Sequence, residues 1–261
     1  MLQRGNVART SAAIQVAGDR QGVSLLKPSF IWCSVAPGYE EMVLEGIRSV
    51  VGLKCPIIGG SSADNEVKGE WYQLCSEDKR YTQLNGFSIG IAYSSMKTKQ
   101  CFFSCYTPTA FRGIITKGNG RHIYEIDHEP AAEVYNRWTG GELKKELDLF
   151  HGDDTRHASN SDDLNVLGRT TLYPLGKKIG SISDESFFQI IHPSNVNKDG
   201  SFDTFANIKQ GDEIYCMAGT KENLKHSISK CAQQLLHGSS VQLNEVIGAL
   251  VVFCGGMVLA I

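Results

Sequence analysis

The sequence predicts a mixed α/β (α+β) fold of two lobes, each built from a mixed sheet with packed helices. Two observations support this prediction. In the first half, two β-branched runs flank a segment whose apolar residues recur with the helical period, which is typical of a strand–helix–strand unit. In the second half, short strand patterns alternate with hairpin turn signals before a helical segment. We therefore expect a second lobe rich in antiparallel hairpins, with a crossover helix.

Composition limits the function. The net charge is −2 and the sequence contains no long basic run, so we expect no nucleic-acid partner. None of the eight cysteines lies in a C-x₂-C pair, and most occur in apolar, strand-like runs, which predicts free thiols in a reducing compartment, no metal and no cofactor. No secretory signal occurs, and we expect a cytoplasmic protein without a membrane partner.

The N-terminal residues 1–22 form a separate, partly disordered segment in this prediction. Residues 1–18 contain two arginines, several small or hydroxylated residues and no acid, a composition that resembles a mitochondrial transit peptide. The alternative interpretation is a partly helical segment, because Ala8, Ala12, Ile14 and Val16 are apolar.

The strand–helix–strand unit follows. The uncharged run SFIWCSV (29–35) predicts a strand, and residues 39–51 carry apolar side chains on one helical face with two glutamates in the first turn. Gly52 is a typical helix stop, after which CPII predicts the second strand.

The stretch from Cys55 to Asn65, CPIIGGSSADN, is the candidate binding site. Strand ends in α/β sheets commonly hold ligands, and here a strand is followed by Gly60, Ser61, Ser62 and Asp64. Glycine permits close backbone approach and the short polar side chains supply hydrogen bonds. The alternative is a tight turn whose serines satisfy local backbone groups.

Further elements follow from local patterns. Asn119-Gly120 is a hairpin signal, and Pro130 is placed to begin a helix over Ala131–Trp138. Thr220 is placed to cap a helix whose apolar stripe is Leu224, Ile228, Cys231 and Leu235. Strands are predicted at Trp71–Leu74, Gly86–Tyr93, Gln100–Tyr106, Ile114–Thr116, His122–Ile126, Thr170–Pro174, Ser186–Ile191 and Asp212–Met217, and a second helix at Glu142–Leu149.

Residues 151–168 are rich in Asp, Ser, Asn and Gly, which predicts a long, flexible, exposed loop. Its set of His151, Asp153, Asp154 and His157 imitates a metal cluster, but we expect solvated side chains there.

At the C-terminal end of the sequence, residues 246–261 carry no charge. They are too few and too β-branched for a membrane span, so we predict a buried strand and a turn. The chain ends abruptly in apolar sequence, as a truncated gene model would.

Four stretches, in this order, resemble the FIST family (F-box and intracellular signal transduction proteins). They are SFIWCSV with PIIGGSSADN, ITKGNGRHIYEIDHEPAAEVYNRW, IIHPSNVNKDGSFDTFANIKQGDEIYCMAGTKENL, and GALVVFCGGMVLAI. The resemblance implies an N-terminal lobe at residues 23–110 and a C-terminal lobe at 112–261 that is incomplete, because the family pattern continues beyond the last strand.

The resemblance implies an intracellular sensory module that binds a small molecule such as an amino acid and passes a signal to partner proteins. His192, after one predicted strand, and Asp199, in the Asn197–Gly200 turn, complete the predicted ligand-binding set. The alternative for His192 is a structural histidine that precedes a rigid proline. The alternative for Asp199 is ordinary turn chemistry.

Two other functions stay open at this point. One is a protein-interaction, substrate-recruiting module of an F-box-type ubiquitin ligase, with loop 151–168 as a docking segment. The other is a serine hydrolase, because GGSSA departs by one methyl group from the G-x-S-x-G elbow. That elbow requires a helix after the serine, and the following DNEVKGEW lacks a helical apolar period, so we expect no enzyme and no catalytic residue.

Overall fold

A computed structural model of the chain describes residues 2–20, 22–23, 26–64, 69–76, 80–83, 85–151, 163–182, 185–237, 240–258 and 260–261. The chain divides into two compact units. Unit 1 comprises Met1–Phe102 with Gln233–Phe253, and unit 2 comprises Phe103–Ala232 with Cys254–Ile261. Helices and sheets occur in both units, and one sheet mixes parallel with antiparallel pairs, so the predicted mixed α/β fold class is confirmed.

The helices are α1 (Leu2–Arg20), α2 (Glu40–Val51), α3 (Ala131–Trp138), α4 (Lys144–His151), α5 (Leu167–Thr170), α6 (Lys221–Lys225), α7 (Ser227–Leu236) and α8 (Gly255–Val258), with a short 3₁₀ helix at Leu243–Glu245. The strands of unit 1 are β1 (Phe30–Val35), β2 (Ile57–Ser61), β3 (Gln73–Ser76), β4 (Arg80–Gln83) and β5 (Phe87–Ala92). Those of unit 2 are β6 (Thr107–Ile126), β7 (Glu129–Pro130), β8 (Asp163–Asn165), β9 (Leu175–Ile182), β10 (Glu185–Ile191), β11 (Pro193–Asn197), β12 (Phe202–Lys209) and β13 (Glu213–Ala218).

Unit 1 is organised around a three-stranded sheet in the order β2–β1–β5. The central strand β1 alternates, with Ile31, Cys33 and Val35 buried. Val43 and Ile47 of α2 pack in the same core. Since β1 and β2 pair in parallel, the chain must cross over between them, and α2 is that crossover. The predicted strand–helix–strand unit is confirmed.

The parallel pairing of β1 with β2 requires a glycine at position 59. Cys33 lies opposite Gly59 in the register, and Gly59 has a φ of +153°. A Cβ atom at this position would lie 1.9 Å from the carbonyl oxygen of Cys33. Only glycine at this position therefore allows β2 to pair closely with β1. The paired strand β2 then ends at the polar residue Ser61.

Helix α1 packs on α2 through a second close approach. A Cβ atom at Gly46 would lie 2.5 Å from the Cβ atom of Thr10, and the hydroxyl oxygens of Ser11 and Ser49 lie 2.7 Å apart. Ile14 is buried in the core of unit 1. Residues 2–20 thus form a helix, as in the alternative interpretation, and small side chains on both helices allow them to pack.

The sheet of unit 2 is antiparallel, in the order β10–β9–β13–β6–β12–β11–β8. Helices α3 and α4 contribute Tyr135 and Leu147 to its core. Tyr135 packs edge-on against Phe202 with ring centroids 5.9 Å apart. The pairs β9–β10 and β11–β12 are hairpins, as is β6–β7, so the prediction of a hairpin-rich second lobe is confirmed.

The hairpin predicted at Asn119-Gly120 is wrong. Strand β6 runs through these residues because they pair with Lys209 and Ile208 of β12. The chain reverses instead at Asp127 and His128, with φ values of 52° and 68°, between β6 and β7. Two consecutive positive φ values are what a type I′ hairpin turn requires, and Asn-Gly is the dipeptide that most often supplies them. The turn therefore lies at Asp127 and His128, neither of which is a glycine.

Three other local predictions differ from the structure. Residues 101–106 form no strand, and Thr170–Pro174 contains the end of α5 and a turn, with β9 beginning at Leu175. The last residues of the predicted loop 151–168 are structured, because β8 pairs with β11 and the buried Val166 precedes α5. Residues 152–162, with most of the metal-like set, lie outside the described residues, as does the side chain of His151.

The C-terminal part also differs. Thr220 caps α6 as predicted, since its side chain accepts a hydrogen bond from Asn223 N at 3.1 Å. The predicted stripe is interrupted, because the helix breaks at His226 and Ile228 is 46% exposed. In the described residues no strand of the sheet follows α7, so α7 does not connect two of the described strands.

Residues 246–252 are predominantly exposed and form no strand, although a buried one was predicted. Their β-branched composition favours a strand, but they pair with none of the described strands. No described helix combines the length and apolarity needed to cross a bilayer.

Candidate functional site

The polar residues predicted after β2 meet the beginning of α2. Ser61 Oγ donates a hydrogen bond to Glu40 Oε1 at 2.5 Å, and the backbone N–H of Gly38 donates to Glu40 Oε2 at 2.8 Å. The Glu40 carboxylate therefore lies in the first turn of α2, where the helix dipole favours negative charge, and it binds the end of β2. We call Ser34, Glu40, Ser61, Ser62, Asp64 and Gln73 the rim.

Ser62 links three elements of the rim. Its hydroxyl oxygen lies 3.1 Å from Ser34 Oγ on β1 and accepts a hydrogen bond from Gln73 Nε2 on β3 at 2.7 Å. The backbone N–H of Ser62 donates to Val35 O at 2.8 Å, which extends the pairing of β1 and β2 by one residue. Gln73 is only 3% exposed, so these hydrogen bonds satisfy a buried amide.

Asp64 holds the chain that leaves the rim. Its Oδ2 accepts hydrogen bonds from the backbone N–H groups of Gly69 and Glu70, at 2.7 and 2.8 Å. The carboxylate is therefore fixed in position at the start of the next connection. Asn65, which ends the predicted stretch, lies outside the described residues.

Gly60 differs from its neighbour Gly59. Gly60 is exposed, and the nearest atom to a Cβ placed on it is Val252 Cγ1 at 3.5 Å, an ordinary contact. The close approach within the protein therefore occurs at Gly59, and the Gly60 backbone is accessible to a ligand.

Three members of the rim were not among the predicted site residues, namely Ser34, Glu40 and Gln73. Ser34 and Glu40 belong to elements that were correctly predicted, and a parallel β1–β2 pair places the end of β1 and the start of α2 beside the end of β2. That topology was the available signal. Gln73 is brought to Ser62 by tertiary packing, and no local pattern indicates it.

In unit 2, His192 lies between β10 and β11. Its ring packs edge-on against Tyr106, with centroids 5.8 Å apart, and its Nε2 is buried with no hydrogen-bond partner among the described residues. Burial lowers the pKa of His192 to about 4, against a smaller opposing contribution from the Thr171 backbone. The imidazole is therefore neutral near pH 7 and retains one polar atom without a partner.

Asp199, also in unit 2, has different surroundings. Its Oδ1 accepts hydrogen bonds from the Ser201 hydroxyl at 2.5 Å and the Ser201 N–H at 3.0 Å. These bonds lower the pKa of Asp199, with the Ser201 hydroxyl as the largest cause. The contacts close the turn between β11 and β12, which favours the turn-chemistry alternative for this residue.

Metal and thiol chemistry gain no support from the described part of the chain. It contains no group of three or more His, Cys, Asp or Glu residues able to hold a metal ion. None of the described cysteines forms a disulfide, and burial raises the pKa of Cys33, Cys105 and Cys216, which keeps these thiols protonated.

A parallel strand pair with a helix N-terminus and polar side chains at its carboxyl edge is an arrangement at which open α/β sheets commonly hold ligands. Comparison with known proteins identifies the family. The FIST N domain matches residues 3–129 and the FIST C domain matches residues 131–260, so the chain belongs to the FIST family. FIST domains are associated with signal transduction and small-molecule sensing, and the family is not a known enzyme family.

One curated relative is the protein named "Uncharacterized protein MJ1623" from Methanocaldococcus jannaschii. It is 27% identical over 132 residues, which are 50% of this chain and 24% of the relative. The match thus spans about a quarter of that protein's length. No solved structure matches the chain.

Proposed function

We propose that the chain is a sensory module that binds a small molecule at the rim for signal transduction, with Gly60, Ser61, Ser62 and Asp64 as ligand contacts. One observation carries this proposal. The end of β2 and the start of α2 are joined by the hydrogen bond from Ser61 to Glu40, at the carboxyl edge of a parallel strand pair. Open α/β sheets hold their ligands at this edge.

The charge of the rim indicates the class of ligand. Glu40 and Asp64 place two carboxylates there, each oriented by backbone N–H groups. Because α2 already has Glu40 and Glu41 in its first turn, a further anion is disfavoured at that helix end. A ligand with an ammonium group, such as an amino acid or a related amine, complements this charge. The hydroxyls of Ser61 and Ser62 suit its polar substituents.

His192 and Asp199 belong to unit 2, whereas the rim residues belong to unit 1, and we propose them as ligand contacts of unit 2 with different weight. The buried Nε2 of His192 lacks a partner among the described residues, and in the neutral imidazole, whose other nitrogen faces the Thr171 backbone, Nε2 is suited to accept one hydrogen bond. Asp199 already closes its own turn, so its role as a ligand contact has less support.

The two alternative functions have less support. Ser61 donates its hydroxyl to Glu40, and residues 62–64 that follow it are not helical, so the strand–turn–helix elbow of a hydrolase does not form at these residues. In the part of the chain that is described, no contact or surface specifically favours an F-box-type module.

A thermal-shift screen of the full chain against amino acids and biogenic amines tests the proposal, followed by calorimetric titration of each hit. Asp64→Asn removes the charge but keeps an oxygen that accepts the Gly69 and Glu70 hydrogen bonds. We expect it to weaken binding by about 10-fold or more, since bonds to charged groups contribute about 1.5–3 kcal/mol.

Glu45→Gln, on the exposed face of α2, is the matched control and leaves affinity unchanged. Absence of any stabilising ligand would contradict the proposal. So would a ligand whose affinity is the same in Asp64→Asn and the wild type.

A further inference from the structure

An open surface pocket of about 500 Å³ in unit 2, called the cavity below, collects positive charge in a chain whose net charge is −2. Its volume falls in the range of small-molecule sites. Three cationic side chains and one carboxylate contribute to its wall. The lining residues are Gly141, Lys144, Lys145, Asp148, Leu149 and Arg169.

Arg169 forms an ion pair with a buried carboxylate. Glu146 is 8% exposed, and its Oε1 lies 3.1 Å from Arg169 Nε. This contact occupies the Nε edge of the guanidinium, whereas the two Nη groups have no hydrogen-bond or ion-pair partner among the described residues. A guanidinium with both Nη groups available is suited to bidentate binding of a phosphate or carboxylate.

The other oxygen of Glu146 makes no comparable contact. Oε2 of Glu146 is buried and has no hydrogen-bond partner within the described ranges. Leaving a buried carboxylate oxygen without a hydrogen bond is costly, and the contact with Arg169 is the ion pair that supports this buried charge. Here the carboxylate fixes the position of the Arg169 guanidinium.

The two lysines of the cavity lie at a helix N-terminus, where positive charge is unfavourable. Lys144 and Lys145 lie in the first turn of α4, where the helix dipole disfavours positive charge. Lys144 pairs with Asp148 at 2.7 Å, and both side chains are largely exposed, so this pair contributes little. Lys145 has no partner in the described residues. An oxyanion in the cavity would interact favourably with both the lysines and the helix N-terminus.

We propose that this cavity binds a small ligand through a phosphate or carboxylate group, with Arg169 Nη and Lys145 Nζ as direct contacts and Glu146 as the positioning residue for Arg169. The proposal is independent of ligand binding at the rim, which lies in unit 1 and is acidic. Phosphate esters and carboxylic acids share the oxyanion that these groups recognise.

Calorimetric titration of the full chain at low salt, with adenosine monophosphate in one arm and succinate in the other, tests the proposal. We expect saturable binding of at least one probe that weakens as salt is added. Tighter binding of the nucleotide assigns the site to phosphate esters, and tighter binding of succinate assigns it to carboxylates. Lys145→Glu lowers the affinity by about 10-fold or more.

Lys178→Glu is the matched control, because Lys178 is an exposed lysine of β9 in the same unit, away from the cavity lining. It leaves the affinity unchanged. Absence of saturable binding of either probe at millimolar concentration would overturn the proposal. Equal weakening by Lys145→Glu and Lys178→Glu would overturn it too, because net charge alone would then explain the effect.

The positioning role of Glu146 has its own readout. Glu146→Gln keeps an oxygen that accepts from Arg169 Nε and retains most of the affinity, whereas Glu146→Leu removes it and loses binding. Thermal midpoints are measured alongside. Affinity that is unaffected in a folded Glu146→Leu variant would refute the positioning role.

Discussion

Replacing Gly59 by alanine is the sharpest test of how the rim is built. The added Cβ atom would lie 1.9 Å from the carbonyl oxygen, 2.8 Å from the carbonyl carbon and 2.9 Å from the Sγ atom of Cys33. Cβ atoms essentially never approach such atoms within 3.0 Å, so β1 and β2 must separate by about 1 Å or lose their register.

The expected cost follows from two effects. Overpacking against a neighbouring backbone costs about 1–3 kcal/mol. A φ of +153° at a residue with a side chain adds strain of about 1–3 kcal/mol. We therefore expect Gly59→Ala to destabilise the β1–β2 pair by about 2–6 kcal/mol.

Hydrogen exchange followed by mass spectrometry on peptides covering residues 30–35 and 57–61 measures this loss locally. A cost of about 3 kcal/mol corresponds to about 100-fold faster exchange of the protected amides. Gly60→Ala is the matched control, since its Cβ meets only Val252 Cγ1 at 3.5 Å, and we expect a change within about 0.5 kcal/mol. Equal protection in both variants would refute the reasoning.

Three further predictions concern single side chains. Ser62→Ala removes the hydrogen bond that the Ser62 hydroxyl accepts from the buried Gln73 amide and should cost about 1–3 kcal/mol, measured by urea denaturation, whereas an unchanged midpoint would contradict that role. Lowering the pH from 6.5 towards 4 destabilises the protein through His192, because the unfolded chain binds a proton at its ordinary pKa of 6.5 while the folded chain does so only near a pKa of about 4. This contribution reaches about 3 kcal/mol, and it shows as a pH-dependent stability difference between wild type and His192→Asn; a difference that is constant with pH would disprove it. Thr220→Ala removes the cap of α6 and should cost about 1 kcal/mol in the same denaturation assay, with Ser229→Ala, an exposed hydroxyl on α7, as comparison.

Local patterns were sufficient for the strand–helix–strand unit. The uncharged run around Trp32, the helical period before Gly52 and the β-branched pair Ile57-Ile58 each carry their own signal, and a parallel crossover is the simplest way to join them. The Gly-Gly pair was also recognised as special. Which of the two glycines is required depends on Cys33 in the neighbouring strand, and local sequence carries no information about that distance.

The wrong predictions share a cause, which is that pairing across strands outweighed local preference. Asn119-Gly120 has the composition of a tight turn, but β12 offers both residues hydrogen-bonding partners, so the strand continues. Residues 101–106 and 246–252 have the composition of strands but no pairing partner in the described sheets. Turn and strand propensities are small compared with the free energy of a complete ladder.

The candidate site shows the same limit. Ser61 and Ser62 were identifiable from the end of a predicted strand, whereas their partners Glu40 and Gln73 lie 21 and 11 residues away in the sequence. Glu40 follows once the parallel topology is known. Gln73 depends on how the connection after Asp64 folds back, which is a tertiary property.

Native mass spectrometry of the purified chain tests the central claim, small-molecule binding at the rim, most directly. We predict a stoichiometric extra mass on the wild-type protein that is lost in Ser61→Trp, whose indole fills the exposed edge of β2. Ser95→Trp, at an exposed position elsewhere in unit 1, should retain it. If small amines or amino acids added at saturating concentration leave only the bare chain mass, or bind equally to wild type and Ser61→Trp, the rim is not the ligand site.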